Sequence, residues 1–172
     1  KPDQKMSKGP EGMSAAADLE ERSPGPVRGC DVTVIIPAYN EAETIAETLV
    51  SLGEQTLSGF RVVVVDDGSS DDTGAIARAL GASVVRPPSN TGSKAGAQTF
   101  ALQFVETEFV VTIDADTTLA ADALEILTAR LAGSDAVAAC GYVLPRRVRT
   151  IWELGRCAEY LFALGFSTRI QH

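Results

Sequence analysis

Acidic residues follow directly after runs of apolar residues at two points in the chain. The run VVVV at 62–65 leads into DDGSSDD at 66–72, and the run VVTI at 110–113 leads into DAD at 114–116. If these runs are strands of one parallel sheet, the carboxylates share its carboxyl edge, where open α/β sheets bind ligands. An acidic site holds a phosphate ligand when a divalent cation bridges the two. The pattern is therefore compatible with a phosphate-bearing ligand held with a metal ion at this edge.

Two polar clusters accompany the acidic ones. PAYNE at 37–41 follows the first apolar run, and NTGSKAGA at 90–97 places Lys94 at the start of a predicted helix, where free backbone N–H groups favour anions. Taken singly, each cluster has a simpler interpretation. DAD and DDGSSDD are typical of turns that cap the next helix, PAYNE of a strand end with a helix start, and Lys94 of a surface lysine. It is the order and spacing of all four that indicate a site.

Apolar runs alternate with segments of helical period along the middle of the chain. This alternation predicts an α/β fold, a mostly parallel sheet with helices on both faces. Asn40, followed three residues later by Glu43, predicts the start of the first helix. Strands are predicted at 32–37, 61–66, 83–85, 109–114 and 136–140, and helices at 41–52, 72–80, 94–105 and 120–131.

Composition divides the 172 residues into three parts. Residues 1–29 are rich in Pro, Gly and Ser and nearly lack large apolar side chains, which predicts a disordered tail. Residues 30–145 are predicted to form one folded domain. Residues 146–172 are basic and aromatic, and two interpretations stay open for them: a helix that contacts a membrane interface through about 150–168, or a helix that packs on another part of the protein.

Charge, cysteine and histidine content exclude several classes of function. Residues 30–145 hold sixteen acidic and five basic side chains, which argues against nucleic-acid binding. Cys30, Cys140 and Cys157 are scattered and odd in number, so neither a zinc site nor a disulfide framework is indicated. The one histidine, His172, offers no cluster of imidazole ligands and no histidine base within the domain. No apolar run reaches the roughly 18 to 20 residues of a membrane-spanning helix, so we expect this chain to be soluble or peripheral.

The four clusters, in this order, resemble those of glycosyltransferase family 2, whose members have the A-type glycosyltransferase fold. The resemblance runs over about residues 31–145, from VTVIIPAYNEAETIAETLVSL through VVVVDDGSSDDT and NTGSKAGAQTFAL to VVTIDADT. The segment from Ile151 to Gln171 is similar to the region after the nucleotide-binding half of processive polysaccharide synthases of the hyaluronan, chitin and poly-N-acetylglucosamine type. The resemblance implies that residues 30–145 form the Rossmann-like, donor-binding half of a longer enzyme and that this chain is truncated.

This resemblance implies an inverting, metal-dependent transfer of a sugar from a UDP-sugar donor to a growing glycan or another acceptor hydroxyl. It places Asp67 near the uracil ring and Lys94 near the diphosphate. Asp114 and Asp116 are implied to form a DxD motif that contacts the ribose and a Mg²⁺ or Mn²⁺ ion, which carboxylate oxygens suit. The residues implied to hold the nucleotide sugar are Pro37, Ala38, Tyr39, Glu41, Asp67, Lys94 and Asp114, and those implied to hold the metal are Asp114 and Asp116.

The catalytic base of the family lies well beyond the DxD motif, whereas this chain ends 56 positions after Asp116. We therefore assign no catalytic residue, expect the base beyond His172, and expect the chain to bind donor with little turnover. The family also implies the cytoplasmic face of a membrane. Two alternatives stay open: a truncated, non-catalytic nucleotide-sugar-binding module, and a dinucleotide-binding oxidoreductase. The second is disfavoured because PAYNEAE lacks the GxGxxG of pyrophosphate-binding turns.

Overall fold

A computed structural model of the protein describes residues 26–141. Strands and helices alternate along this part of the chain after a short 3₁₀-helix at Gly29–Asp31. The elements are β1 (Val32–Ala38), α1 (Ile45–Gly53), β2 (Arg61–Asp66), α2 (Thr73–Ala79), β3 (Ser83–Val85), α3 (Lys94–Leu102), β4 (Phe109–Thr112) and α4 (Ala123–Ala132).

The four strands form one sheet in the order β3-β2-β1-β4, and each described pairing is parallel. β1 lies inside the sheet and is buried along nearly its whole length, as its unbroken apolar sequence predicts for a strand covered on both faces. The strand order reverses between β1 and β4, because the chain first builds outward from β1 to β3 and then returns to the other side of β1. The predicted α/β fold with a parallel sheet is confirmed.

Residues that alternate along β1 divide the core into two parts. Val32, Val34 and Ile36 pack on one face with apolar side chains of α1, α2 and α4. Ile35 points to the opposite face and packs against Ala97 of α3. Helices therefore cover both faces of the sheet, as predicted.

The strand predicted at 136–140 is wrong. Within residues 26–141 this segment pairs with no strand, and Val137 is 99% exposed. The segment AVAAC is rich in alanine, which is depleted in strands, and a strand is not stable without a neighbour to hydrogen-bond.

The helices are shorter than predicted. α1 begins at Ile45, so the helix start predicted from Asn40 and Glu43 is wrong. Asn40 has a positive φ of 55°, outside the right-handed helical region, so the helix does not begin there. The backbone N–H groups of residues 40–42 bond to side chains of Ser69, Thr73 and Asp71. α3 ends at Leu102 and α4 begins at Ala123, each three residues short of the predicted boundary.

The predictions at the two ends of the chain fall largely outside the described residues. The disordered tail concerns mainly 1–25, and the basic, aromatic helix lies wholly in 142–172, both outside residues 26–141. Just before the predicted domain boundary, Val27 packs against the core and Gly29 is buried. A search of residues 26–141 for helices long and apolar enough to cross a membrane finds none.

Gly29, just before β1, lies very close to the backbone of Ser58. A Cβ atom at this position would lie 1.8 Å from the carbonyl oxygen of Ser58, so backbone would have to move. We expect Gly29→Ala to lower the free energy of unfolding by about 1–3 kcal/mol or more, measured by urea denaturation. Gly53→Ala is the matched control, because a Cβ there meets nothing within 4 Å. Equal stability of the two variants would contradict the tight approach.

Candidate functional site

One pocket of about 650 Å³ lies at the carboxyl end of the sheet. It sits where the strand order reverses, between the segment after β1 and the segment after β4, which is the place where open α/β sheets bind ligands. Loops from β2 and the start of α3 complete its walls. All eight residues assigned from the sequence line this pocket: Pro37, Ala38, Tyr39, Glu41, Asp67, Lys94, Asp114 and Asp116.

Pro37 lies at the point where β1 separates from β4. The carbonyl of Ile35 accepts a hydrogen bond from the N–H of Ile113 on the β4 side. Backbone groups alternate in direction along a strand, so the backbone nitrogen of Pro37 points toward the same side as that of Ile35, the side of β4. At the level of Pro37, however, β4 has already ended at Thr112. A proline has no N–H to pair, and here none is needed. The hydrogen-bond ladder between β1 and β4 therefore stops before Pro37, and the pocket begins there.

The loop after β1 is held by side chains of the loop after β2 and of the first residue of α2. The N–H groups of Asn40, Glu41 and Ala42 donate to Ser69 Oγ, Thr73 Oγ1 and Asp71 Oδ2 at 3.0, 2.8 and 3.1 Å. In return, the Asn40 side chain accepts from the N–H of Ser70 at 2.8 Å. Asn40 has a positive φ of 55°, a conformation that asparagine tolerates better than most residues. These bonds hold Tyr39 and Glu41 at the pocket.

Two of the four acids in DDGSSDD are structural. Asp66 is buried, accepts from the Ser69 N–H at 2.9 Å, and forms an ion pair with Arg86 at 3.5 Å. Asp71 accepts from both the hydroxyl and the N–H of Thr73 at the start of α2. The Thr73 hydroxyl above all, with the backbone N–H groups of Ala42 and Thr73, holds the pKa of Asp71 below its ordinary value. Asp71 is thus kept ionised as an acceptor for two loops.

Asp67 is the acid of this loop that faces the pocket. It is only 6% exposed, and its backbone N–H donates to the carbonyl of Ala38 at 2.9 Å. Its carboxylate accepts two hydrogen bonds from Thr91, and its carbonyl accepts one from the Asn90 amide at 2.6 Å. Gly68 follows with a φ of +88°, which only glycine adopts readily, and turns the chain away.

The DAD segment places its two acids on the pocket side and its alanine in the core. Ala115 is 4% exposed, whereas Asp114 and Asp116 are exposed. The Ala115 carbonyl accepts from the buried Thr48 hydroxyl at 2.8 Å. Lys94, in the first turn of α3, forms an ion pair with Asp114. Among residues 26–141 the Asp116 carboxylate has no hydrogen-bond or ion-pair partner.

Polar side chains of α1, together with Gln55 just beyond its end, hold the chain that follows DAD. The Gln55 amide donates to the carbonyls of Ser51 and Ala120 at 3.1 and 2.8 Å and accepts from the N–H of Leu124 at 3.1 Å. The Ser51 hydroxyl accepts from the N–H of Leu119 at 3.1 Å. Helix α1 and Gln55 therefore hold the segment from Ala115 to Leu124 through hydrogen bonds that are buried or partly buried.

The pocket lining is acidic with one cationic side chain. Among the residues that the structure describes, Glu41, Asp67, Asp114 and Asp116 face Lys94 there. Three or more Asp, Glu, His or Cys side chains do not converge as a metal cage anywhere in 26–141. Two exposed carboxylates fit a hard cation that takes its remaining ligands from phosphate oxygens and water, as Mg²⁺ commonly does. The donor set thus fits a divalent metal bound together with a phosphate ligand.

Sequence reasoning missed part of this pocket. The missed residues lie mostly in the segment NTGSKAGA at 90–97, of which only Lys94 was assigned from the sequence. The glycines of the loops were a further signal. Gly68 and Gly92 both have positive φ, and the Ser93 hydroxyl caps α3 by accepting from the Gly96 N–H at 3.1 Å. The lining residues not assigned from the sequence are Gly68, Asn90, Gly92, Ser93, Ala97 and Ala115.

Residues 33–171 match the family described as Glycosyl transferase family 2. An N-acetylglucosaminyltransferase of Bradyrhizobium elkanii is 32% identical over 129 residues, which are 70% of this chain and 70% of that protein. Two solved structures share the fold. S. aureus TarS 1-349 in complex with UDP-GlcNAc has a TM-score of 0.53 at 34% identity, and the match covers 58% of this chain. The mannosyltransferase PcManGT of Pyrobaculum calidifontis, in complex with GDP-Man and Mn²⁺, has a TM-score of 0.56 at 35% identity over 61% of this chain.

The matches cover unequal shares of the compared proteins. This chain spans 70% of the Bradyrhizobium protein, but its match covers only 30% of the TarS chain and 33% of the mannosyltransferase chain. What is shared with the solved structures is therefore one part of longer enzymes.

The lowered pKa of Asp71 predicts a pH-dependent contribution to stability. The stability contributed by the ionised Asp71 is present above the unfolded-state pKa of about 3.9, and it is lost as the pH falls through the lower folded-state pKa. We expect Asp71→Asn to unfold at a lower temperature than wild type at pH 7, and the gap to narrow below about pH 4. Differential scanning calorimetry from pH 7 to pH 3 measures both.

Asp72→Asn is the control for this experiment. It removes the same charge one residue along, from a side chain that makes no capping hydrogen bond to α2. We expect it to shift the unfolding temperature less than Asp71→Asn. A gap between Asp71→Asn and wild type that is as large at pH 3 as at pH 7 would contradict the role given to the ionised carboxylate.

Proposed function

Because the chain belongs to glycosyl transferase family 2, we propose that its pocket binds a UDP-sugar together with a divalent metal ion, for transfer of the sugar to an acceptor hydroxyl. The observation that carries this proposal is the convergence of an exposed aromatic ring, a lysine and three aspartates from separate loops on one pocket of about 650 Å³. Small-molecule sites commonly have volumes of roughly 300–1000 Å³.

The nucleobase is assigned to the end of the pocket formed by Asp67 and Tyr39. The buried Asp67 carboxylate is an acceptor for a ring N–H, which uracil presents between its two carbonyl groups. The Tyr39 ring is 56% exposed and offers a face on which a base stacks. Guanine also presents a ring N–H, so Asp67 by itself fits both bases. The choice of uridine is supported by the UDP-GlcNAc complex of TarS at 34% identity.

The diphosphate is assigned to the end formed by Lys94, Asp114 and Asp116. A diphosphate adds negative charge to a pocket that already holds four carboxylates, so it requires cations beside it. Lys94 supplies one positive charge from the first turn of α3. Asp114 and Asp116 would hold the Mg²⁺ or Mn²⁺ ion, which supplies further positive charge at the diphosphate when bound. The Mn²⁺ complex of the mannosyltransferase supports this assignment.

The reaction follows from these positions. An acceptor hydroxyl attacks the anomeric carbon, the bond from that carbon to the diphosphate breaks, and Lys94 stabilises the charge that grows on the leaving group. Inversion requires a general base to take the hydroxyl proton, and we assign this role to none of residues 26–141. The Bradyrhizobium N-acetylglucosaminyltransferase supports a donor that carries N-acetylglucosamine. A growing glycan as the acceptor, as in the processive synthases, is part of the proposal.

The cellular location is proposed on the same basis. Residues 146–172 carry five basic and two acidic side chains among aromatic ones, a composition that suits the cytoplasmic face of a membrane.

The alternative of a non-catalytic donor-binding module predicts the same binding without UDP release. The oxidoreductase alternative is not supported, because the chain belongs to a different family of enzymes.

Asp116 tests the metal in this proposal. We expect UDP-N-acetylglucosamine to bind the wild-type protein in the presence of Mn²⁺ and at least roughly tenfold more weakly in its absence, by isothermal titration calorimetry. Asp116→Asn is expected to remove most of this metal dependence, because the neutral amide is a poorer ligand of a hard cation. Asp122→Asn, outside the pocket on an exposed side chain, is the matched control. Equal affinity with and without metal in the wild-type protein would refute the metal site.

Lys94 tests the placement of the diphosphate. We expect Lys94→Met to weaken UDP binding roughly tenfold, because a charge-assisted contact to phosphate oxygen is lost. Uridine, which lacks phosphate, is expected to bind wild type and variant alike, and a fluorescence competition assay compares the two ligands. Arg130→Met removes an exposed charge outside the pocket and serves as the control. A similar loss for uridine and UDP would place Lys94 away from the diphosphate.

A further inference from the structure

Both carboxylate oxygens of Asp67 are bonded to a single residue. The N–H of Thr91 donates to Oδ1 at 2.7 Å, and the Thr91 hydroxyl donates to Oδ2 at 2.7 Å. Asp67 lines the pocket, whereas Thr91 is absent from the lining formed by residues 26–141. Thr91 therefore acts on the carboxylate without contacting a ligand in the pocket.

A carboxylate that reads a nucleobase needs a defined plane. The χ2 torsion of aspartate is broad and roughly two-fold, so the side chain by itself does not fix the direction of its lone pairs. Two donors on different oxygens, both from Thr91, fix that plane. A carboxylate has about four acceptor positions, so about two stay free for a ligand.

Thr91 is itself held from two directions. Asn90 donates to the Asp67 carbonyl at 2.6 Å and accepts from the Gly92 N–H at 2.7 Å, which fixes the turn around Thr91. On its other side Thr91 packs against Gly96, where an added Cβ would lie 2.9 Å from Thr91 Cβ and Oγ1.

The Thr91 hydroxyl has one proton and two acceptors within reach. Its oxygen lies 2.7 Å from Asp67 Oδ2 and 3.0 Å from the carbonyl of Ser93. The carboxylate is nearer and charged, and hydrogen bonds to an ionised acceptor are the stronger ones. The proton is therefore directed to Asp67.

We propose that Thr91 is a positioning residue for nucleobase selection, which orients Asp67 so that its free lone pairs accept a ring N–H. Uracil presents such a donor, whereas cytosine presents an unprotonated ring nitrogen at the same edge. A buried carboxylate fixed in this orientation rejects the second base, because two acceptors then face each other without a proton. This inference rests on the proposed function, since it takes a uridine nucleotide as the ligand of Asp67.

Two comparisons isolate the effect of the Thr91 hydroxyl: wild type with Thr91→Val, and Thr91→Ser with Thr91→Ala. Thr91→Val is nearly isosteric with wild type and keeps the backbone N–H, while Thr91→Ser and Thr91→Ala differ from each other only by the hydroxyl group. The probes are UDP and CDP with Mn²⁺, measured by isothermal titration calorimetry. Thr107→Val is the matched control, because it removes a threonine hydroxyl bonded to Thr33 at 2.7 Å and outside the pocket.

We expect Thr91→Val to bind UDP roughly tenfold more weakly while its affinity for CDP changes less than about twofold. The preference for UDP over CDP then falls, which a merely structural role would not produce. Thr91→Ser is expected to keep the preference of wild type, and Thr91→Ala to lose it. Thr107→Val is expected to leave it unchanged.

The outcomes separate this inference from the proposed function. A wild-type protein that binds neither UDP nor UDP-N-acetylglucosamine overturns the proposed function and the inference with it. A wild type that prefers UDP, with the same preference in Thr91→Val, overturns the inference alone, as does an equal loss for UDP and CDP. If circular dichroism shows Thr91→Val to be unfolded, the comparison of Thr91→Ser with Thr91→Ala decides, and equal preference in those two overturns the inference.

Discussion

The structure of the pocket depends on the hydrogen bonds that join the loop after β1 to the loop after β2. Three successive N–H groups leave β1 without partners in the sheet, and such groups must be paired when they are withdrawn from water. Ser69, Asp71 and Thr73 provide the acceptors. The hydroxyl and acidic residues of DDGSSDD therefore act largely as a scaffold for the neighbouring loop. Only Asp67 of this segment turns its carboxylate to the pocket.

The sequence predicts what is local and periodic. Short runs rich in β-branched residues identified the four strands of the sheet, and the acids at or just after the ends of two of them identified the edge where the pocket lies. Bonds between distant segments carry no such signal. Asn40 has the residue type of a helix cap, yet it accepts from Ser70, thirty positions along the chain. Thr91 was missed for the same reason, because its partner Asp67 lies on another loop. The strand at 136–140 was wrong because apolar composition does not supply a partner strand.

The carboxylates of the pocket differ in their surroundings, and this difference separates their chemistry. Asp67 is buried with two donors already in place, so it suits a directional hydrogen bond to a neutral ring. Asp114 and Asp116 are exposed, and Asp116 has no hydrogen-bond or ion-pair partner among residues 26–141, so these two suit a hydrated cation. Identical side chains thus suit different roles through burial and hydrogen-bond donors alone.

Helix α1 touches both ends of the pocket. It begins shortly after Tyr39 and Glu41. Thr48 and Ser51 within it, and Gln55 just beyond its end, bond to the segment that follows Asp114. The bond from Thr48 is buried and the other two are partly buried, so water competes for them less than for surface hydrogen bonds. At the other end of the pocket the first N–H of α1, that of Ile45, donates to the carbonyl of Glu41 at 2.9 Å. The two ends of the pocket therefore rest on the same helix.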